Sequence, residues 1–294
     1  MTIQQPSATF SSIRDFALFR LCGDLDAIHT EISGVLENND IEYVHRIRIA
    51  IRRYRNNLRI FRYFSDQSFY DFLEQKYIET NEFSSILAFA RDLDIQYAIL
   101  DQGLGIPPTT GKTKILTDIK KKREIVQRQL VEYMDSPSYT VLLDHTNQIN
   151  LSFSSITVFA GKDAILNAIK SSLAFTLSVL YPITPYTNSE EIHHYRKAIR
   201  RLRYTLESFQ PVIPFLIENE IELTHTIQDL LGDMHDLDMI SQSITAIDTL
   251  ENDEQKVILE IINKNHEILN VQFIEKIKSN EMVQLLFQIL DSIS

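Results

Sequence analysis

Apolar residues recur along most of the chain at intervals of three and four, which places them on one face of an α-helix. Proline, glycine and clusters of small polar residues interrupt this pattern. The pattern therefore predicts an all-α fold. Helices are expected in the first half over Phe10–Leu36, Ile41–Phe64, Phe69–Leu100 (which a break near Asn81 would divide), Thr113–Met134 and Ser136–Asn150. Helices are expected in the second half over Gly161–Leu180, Glu190–Phe209, Ile217–Leu250, Glu254–Lys278 and Met282–Ile293.

Two segments interrupt the helical pattern. Gly103–Gly111 contains Pro107 and Pro108 and predicts a loop. Asn150–Phe159 is rich in Ser, Thr and β-branched residues and carries no acid or base. We interpret it as a linker between two halves, one that could be briefly extended.

The two halves repeat each other. The segment His45–Arg55 (HRIRIAIRRYR) matches His193–Arg203 (HHYRKAIRRLR) at an offset of 148 residues. A second pair, Leu87–Asp94 (LAFARDLD) and Leu231–Asp238 (LGDMHDLD), follows at an offset of 144. The repeat predicts two helical bundles of about four helices each, over residues 10–150 and 160–294.

The two basic segments place their charges on one face. On a helical wheel of the predicted helix Ile41–Phe64, one arc of about 100° carries His45, Arg48, Arg52, Arg55, Arg59 and Arg62, opposite an apolar face. His193 shares such an arc with three arginines in the second segment. Like charges at this spacing repel, so these rows need anions nearby. Arginine matches the forked geometry of carboxylate or phosphate, and a row of arginines favours an extended polyanion.

An internal ion-pair network is the alternative explanation of these rows. Asp92, Asp94, Asp236 and Asp238 could neutralise some of the arginines from neighbouring helices. Four aspartates cannot balance two rows that together hold twelve Arg and Lys side chains as well as two histidines. We therefore expect part of the positive charge to remain available to a ligand.

The doubled pattern His-x-x-Arg-x-x-x-Arg-Arg-x-Arg resembles that of the CHAD family, the conserved-histidine α-helical domain. Each copy is followed by a Leu-Gly-x-x-Arg-Asp-like segment, in which this chain has Ala88 for glycine and His235 for arginine. The resemblance implies two four-helix bundles related by pseudo-two-fold symmetry around a basic central channel. It also implies binding of inorganic polyphosphate, in the cytoplasm and in some cases at polyphosphate granules, without catalysis or a cofactor.

The resemblance also implies the site. Its binding residues would be His45, Arg48, Arg52, Arg53, Arg55, His193, Arg196, Arg200, Arg201 and Arg203, to which the helical wheel adds Arg59. Arg123 and Lys170 are second-rank candidates that could turn toward the channel. Phosphate or sulfate could occupy such a site in crystals.

Composition limits the partners, metal sites and locations that are expected for this chain. The chain of 294 residues has a net charge of −11 and no tryptophan, so nucleic acid is disfavoured as a partner. Cys22 is the single cysteine, which excludes an intrachain disulfide and a cysteine-based zinc site. We see neither a signal peptide nor an apolar run long enough for a membrane span. We therefore expect a soluble cytoplasmic protein.

Two weaker signals concern catalysis. Gly105–Thr113 (GIPPTTGKT) has the composition of a phosphate-binding loop but places Ile106 at the position of the first glycine. The pair His235-Asp236 resembles the ligands of helical metal-dependent phosphohydrolases, which makes such an enzyme the alternative function. The first half has Arg91-Asp92 at the equivalent position, so we predict no metal site there.

Overall fold

The structure is a computed structural model that describes residues 10–38, 40–156, 162–180, 189–211, 218–245 and 252–278, and residue 284. These residues are helical or lie in turns, without a strand among them, so the all-α prediction is confirmed. The helices are α1 (Ile13–Glu37), α2 (Ile41–Phe61), α3 (Gln67–Glu79), α4 (Asn81–Ala98), α5 (Thr110–Met134), α6 (Pro137–Leu143), α7 (His145–Ser155), α8 (Lys162–Leu180), α9 (Ser189–Phe209), α10 (Glu218–Thr245) and α11 (Asn252–Lys278). A π-helical turn, Ile99–Gly103, extends α4.

Side-chain caps explain several helix boundaries. The carboxylate of Asp40 accepts a hydrogen bond from the backbone N–H of Glu42 (2.9 Å) at the start of α2. The break predicted near Asn81 is found at Thr80, which is fully buried between α3 and α4. The hydroxyl of Thr80 donates to the carbonyl of Tyr77 (2.7 Å) and ends α3 there.

The region around the predicted linker differs from expectation. The single helix expected over Ser136–Asn150 is divided at Asp144 into α6 and α7. α7 then continues through Ser155 into the expected linker, because Ile149 and Phe153, four residues apart, are both fully buried. Residues 157–159 of that linker, and almost all of the helix expected over Met282–Ile293, lie outside the described residues.

The long helices pack in chain order. α1 packs on α2, α2 on α4 and α4 on α5, while α8 packs on α9, α9 on α10 and α10 on α11. Contacts between these two sets join α2 to α9 and α4 to α10. The two arginine-rich helices, α2 and α9, therefore lie against each other in the interior. The repeat boundaries at 10–150 and 160–294 stay a prediction.

Aromatic side chains join α2 and α9 at their carboxyl ends. The rings of Phe16, Phe61 and Phe209 form a triangle with centroid separations of 6.0 to 6.1 Å. All three side chains are fully buried. Beside them, Asn57 donates to the carboxylate of Asp24 (2.6 Å) and accepts from the hydroxyl of Ser208 (2.7 Å). Burial and paired polar groups together fix α9 on α1 and α2.

None of the described helices combines the length and apolarity that a membrane span requires.

A buried histidine connects α7 to α2 and α3. His145 is fully buried, and its Nδ1 accepts from the hydroxyl of Tyr54 (3.0 Å) while its Nε2 donates to the carboxylate of Glu79 (2.8 Å). Burial lowers the pKa of His145 to about 4, so the imidazole is neutral at pH 7. Lys76 donates to the same carboxylate (2.7 Å) and completes the network.

We expect His145→Ala to lower the free energy of unfolding by about 2–4 kcal/mol at pH 7, because it leaves a cavity and removes the hydrogen-bond partner of the buried Tyr54 hydroxyl. Unfolded histidine titrates near pH 6.5. The stability that the neutral imidazole provides is therefore lost as pH falls from about 6.5 to 4, and the variant should show a flatter pH dependence there. Urea unfolding followed by circular dichroism measures both effects. The exposed Asn147→Ala on α7 should change stability by no more than about 0.5 kcal/mol.

Candidate anion-binding cleft

A cleft of about 520 Å³ opens between α2 and α9, bordered by α3, α4 and α8. Six of its thirteen lining residues are cationic: Arg52, Arg55, Arg59, Lys197, Arg200 and Arg201. The other seven are neutral: Asn56, Tyr77, Ser84, Ser85, Ala88, Phe175 and Tyr204. None of these lining residues carries a carboxylate, so the cleft concentrates positive charge in a protein whose net charge is −11.

The helical repeat explains why the cations meet. Arg52 and Arg200 occupy equivalent positions in the two basic segments, on helices that pack against each other. The opposite faces of α2 and α9 are buried in the core, for example through Ile51 and Ile199, which are fully buried. Burying those apolar faces leaves the arginine faces of both helices directed into one cavity.

Neutral acceptors hold two of the arginines. Arg55 donates to the carbonyl of Tyr77 (3.0 Å), to Thr80 Oγ1 (2.6 Å) and to Asn81 Oδ1 (2.7 Å), and its guanidinium lies 3.9 Å from the centre of the Tyr77 ring. Arg59 donates to Asn56 Oδ1 (2.5 Å). These contacts fix the guanidinium groups but leave their charges uncompensated.

The other four cations of the cleft make no hydrogen bond or ion pair with any residue that the structure describes: Arg52, Lys197, Arg200 and Arg201. Arg201 instead lies over the ring of Phe175, 5.2 Å from its centre. Burial, and then the nearby Arg52, lowers the pKa of Arg200 to about 10. Burial and Arg201 likewise lower the pKa of Arg59 to about 10. Burial is the main cause of both shifts, and an anion bound beside these charges would raise both pKa values again.

The first turns of both basic segments lie outside the cleft lining, beside carboxylates. Arg48 Nη2 lies 3.2 Å from Asp92 Oδ1. Burial lowers the pKa of Arg48 to about 9 and also lowers the pKa of Arg196. Burial raises the pKa of Asp236 to about 6, although the nearby Arg196 acts in the opposite direction. Positive and negative charges are therefore mixed at this end, unlike in the cleft.

The motif histidines also lie at this mixed end. Burial lowers the pKa of His45, and the nearby Arg91 lowers it further. Burial and then Lys197 lower the pKa of His193, whose ring lies 5.8 Å from that of His235. Both imidazoles are therefore mainly neutral at pH 7, and they can donate or accept one hydrogen bond at each nitrogen.

Besides His45, Arg48, His193 and Arg196, four further residues expected at the site do not line the cleft. Arg53 is half exposed and lies 3.6 Å from Glu207. Arg203 is buried, donates to His225 Nε2 (2.8 Å) and has its Nε 3.5 Å from Glu207. The second-rank residue Arg123 donates to Asp94 (2.9 Å) and to Gln127 (3.0 Å). Lys170, also of second rank, is half-buried on α8 and is not among the lining residues.

Sequence reasoning missed several lining residues. Lys197 belongs to the basic segment, but the helical wheel put it on a secondary edge with Arg201. Ser84 and Ser85 come from the first turn of α4 and had no motif that could single them out. They reach the cleft only because α4 packs on α2.

The two weaker catalytic signals can be placed in the structure. Lys112 of the GIPPTTGKT segment donates its ammonium to the carbonyls of Asp101 (2.9 Å) and Ile106 (3.0 Å), so it holds the loop before α5. Within the described ranges, no three His, Cys, Asp or Glu side chains come close enough together to hold a metal ion. Asp238, near the His235-Asp236 pair, lies 3.2 Å from His266.

Comparisons with known proteins agree with this architecture. The family model of the CHAD domain matches residues 20–245. The crystal structure of the CHAD domain from the plant Ricinus communis superposes with a TM-score of 0.65 at 17% identity, covering 95% of this chain and 91% of that one. PptA from Streptomyces chartreusis superposes with a TM-score of 0.61 at 13% identity, covering 96% and 100%. No curated protein sequence matches the chain.

The arginines that face the cleft should differ in their effect on stability from those that pair within the fold. We expect Arg200→Ala to leave the free energy of unfolding unchanged or to raise it by about 0.5–1 kcal/mol, because it relieves repulsion among unpaired cations. Arg203→Ala, on the same helix, should lower it by about 1–3 kcal/mol through lost buried contacts. Urea unfolding of both variants provides a matched comparison. Equal destabilisation by the two substitutions would instead support the internal ion-pair network.

Proposed function

This chain belongs to the CHAD domain family, as its two basic segments suggested, and we propose that its cleft binds inorganic polyphosphate. The observation that carries the proposal is the set of six cations around one cavity with no carboxylate among the lining residues. Four of them have no hydrogen-bond or ion-pair partner within the described residues. A polyanion would supply the missing negative charge.

The chemistry of the lining favours phosphate oxygens. Five of the six cations are arginines, whose planar fork of donors matches two oxygens of a phosphate group. Ser84, Ser85 and Asn56 add neutral donors beside them. The cations extend from Arg52 to Arg59 along α2, about 10 Å of helix, which gives successive phosphate groups separate partners.

The second part of the proposal concerns the architecture around the cleft. We place the two repeats at residues 10–150 and 160–294, related by pseudo-two-fold symmetry, with α2 and α9 at the centre and the cleft as the basic channel. The packing of α2 on α9 and of α4 on α10 supports this arrangement, because each contact joins equivalent helices. The proposed role is non-catalytic binding, which could take place at polyphosphate granules.

The proposed site is narrower than the family motif suggests. Its members are the six lining cations, whereas Arg53 pairs with Glu207 between α2 and α9 and Arg203 donates to His225 of α10, so both arginines position α9 against its neighbours. His45 and His193 lie toward the amino ends of the two helices, outside the cleft lining, and burial lowers the pKa of both, so we do not count them among the binding residues.

Salt dependence tests whether the arginines contact phosphate. Contact with six phosphates predicts that the logarithm of the affinity falls with the logarithm of salt concentration with a slope of about −4. Arg52→Ala with Arg200→Ala removes two cations without partners and should flatten this slope by about one to two. Replacing both by Lys should restore the slope but only part of the affinity, because the fork is lost. Titrations with long-chain polyphosphate measure all three proteins.

The matched control is Arg46→Ala with Arg128→Ala, which removes the same charge from exposed positions outside the cleft. This control should keep the wild-type slope. An unchanged slope in a folded Arg52→Ala, Arg200→Ala protein would remove the cleft from the proposal. Circular dichroism establishes that each variant is folded.

The phosphohydrolase alternative is tested with the same reagents. Binding without catalysis predicts that polyphosphate and a generic phosphoester stay intact in the presence of Mg²⁺ or Mn²⁺ as well as in their absence. Metal-dependent release of phosphate that is abolished by Asp236→Asn would favour the enzyme instead. A phosphate-release assay over several hours measures this directly.

A further inference from the structure

The charge along the two basic helices changes character at Arg52 and Arg200. These two residues line the cleft together with Arg55 and Arg59 toward the carboxyl end of α2 and with Lys197 and Arg201 on α9, and no lining residue carries a carboxylate. Toward the amino ends, Arg48 and Arg196 lie beside Asp92 and Asp236. Each row of guanidinium groups thus has one part that is open to a ligand and one part that already lies beside carboxylates.

The two aspartates come from equivalent places in the repeat. Asp92 belongs to the LAFARDLD segment on α4, and Asp236 to the LGDMHDLD segment on α10. Because α4 packs on α2, α10 on α9 and α4 on α10, both carboxylates reach the same region between the halves. Each aspartate acts to raise the pKa of Arg196, and Asp92 also raises the pKa of Asp236.

A carboxylate pair at this place opposes a polyanion in two ways. It repels an approaching phosphate, and it occupies the donors that the phosphate would need, as the 3.2 Å contact between Arg48 and Asp92 shows. Arg48 Nε is also buried and has no hydrogen-bond partner in the described part of the chain. If a phosphate displaced Asp92, water would not reach this guanidinium to replace the lost contact.

We propose, on the basis of the proposed function, that Asp92 and Asp236 form an acidic stop at one end of the cleft, so that a bound polyphosphate ends at Arg52 and Arg200. The six lining cations are then the whole anion site. A chain of a few phosphates fills this site, and a longer chain extends from its other end instead of passing Arg48 and Arg196.

The acidic stop is also sensitive to pH. The groups around Asp236 are Arg196 and His193 on α9, Arg48 on α2, Asp92 on α4, and Asp233 and His235 on α10. Burial and the two neighbouring carboxylates raise the pKa of Asp236, to about 6, above the value that the arginines alone would give. Protonation near that pH removes one charge from the stop, as Asp236→Asn does.

The test compares triphosphate with long-chain polyphosphate in wild type and in Asp92→Asn with Asp236→Asn. The double amide variant should bind the long chain roughly tenfold tighter, because two guanidinium groups become available to phosphate. It should also cover more phosphates per protein at saturation. Its affinity for triphosphate should change by less than about threefold once the overall charge change is subtracted. Isothermal titration calorimetry gives both the affinity and the stoichiometry.

The matched control is Asp71→Asn with Asp118→Asn, which makes the same change in net charge on α3 and α5, away from the cleft lining and from Asp236. A double amide variant that behaves like this control overturns the acidic stop while leaving polyphosphate binding intact. Wild type that binds neither ligand overturns the proposed function itself.

A measurement on the wild-type protein covers the case in which the amide variants do not fold. The number of phosphate groups of a long chain that each protein covers at saturation should rise as pH falls from 7 to 5.5, because protonation of Asp236 weakens the stop. An unchanged number over this range would contradict the acidic stop.

Discussion

Repulsion among cations that have no anionic partner is the constraint on which the structure between α2 and α9 depends. Arg52, Arg200 and Arg201 line one cavity without a carboxylate among its lining residues. Such an arrangement opposes folding, and burial increases the cost because it removes water from the charges. The packing of the helices must therefore hold the arginines together until a ligand supplies negative charge.

The surrounding contacts provide that packing. The triangle of Phe16, Phe61 and Phe209 and the buried bond between Asn57 and Ser208 join α9 to the first half beside the cleft. Arg55 is fixed by neutral acceptors, so it is positioned without losing its charge. Arg55 and Arg59 are therefore preorganised, and a ligand does not have to order these two side chains on binding.

Much of this arrangement follows from the sequence, and the rest follows from how the helices pack. The periodicity of α2 and α9 and their offset of 148 residues predicted which faces would be basic. A helical wheel cannot tell which neighbouring helix covers a residue, so it placed Arg203 with the site although α10 supplies His225 beside it. Arg123 is likewise bound to Asp94 through the packing of α5 on α4. Lys197 and the two serines of α4 are identified as lining residues only by the packing of the helices around the cleft.

A crystal structure of the protein grown with a short polyphosphate chain tests the central claim most directly. The account predicts phosphate groups in the cleft, with oxygens bonded to Arg52 and Arg200 and the chain extending toward Arg59 and Arg201. Phosphates bound only on outer surfaces, with the cleft arginines unchanged, would contradict it.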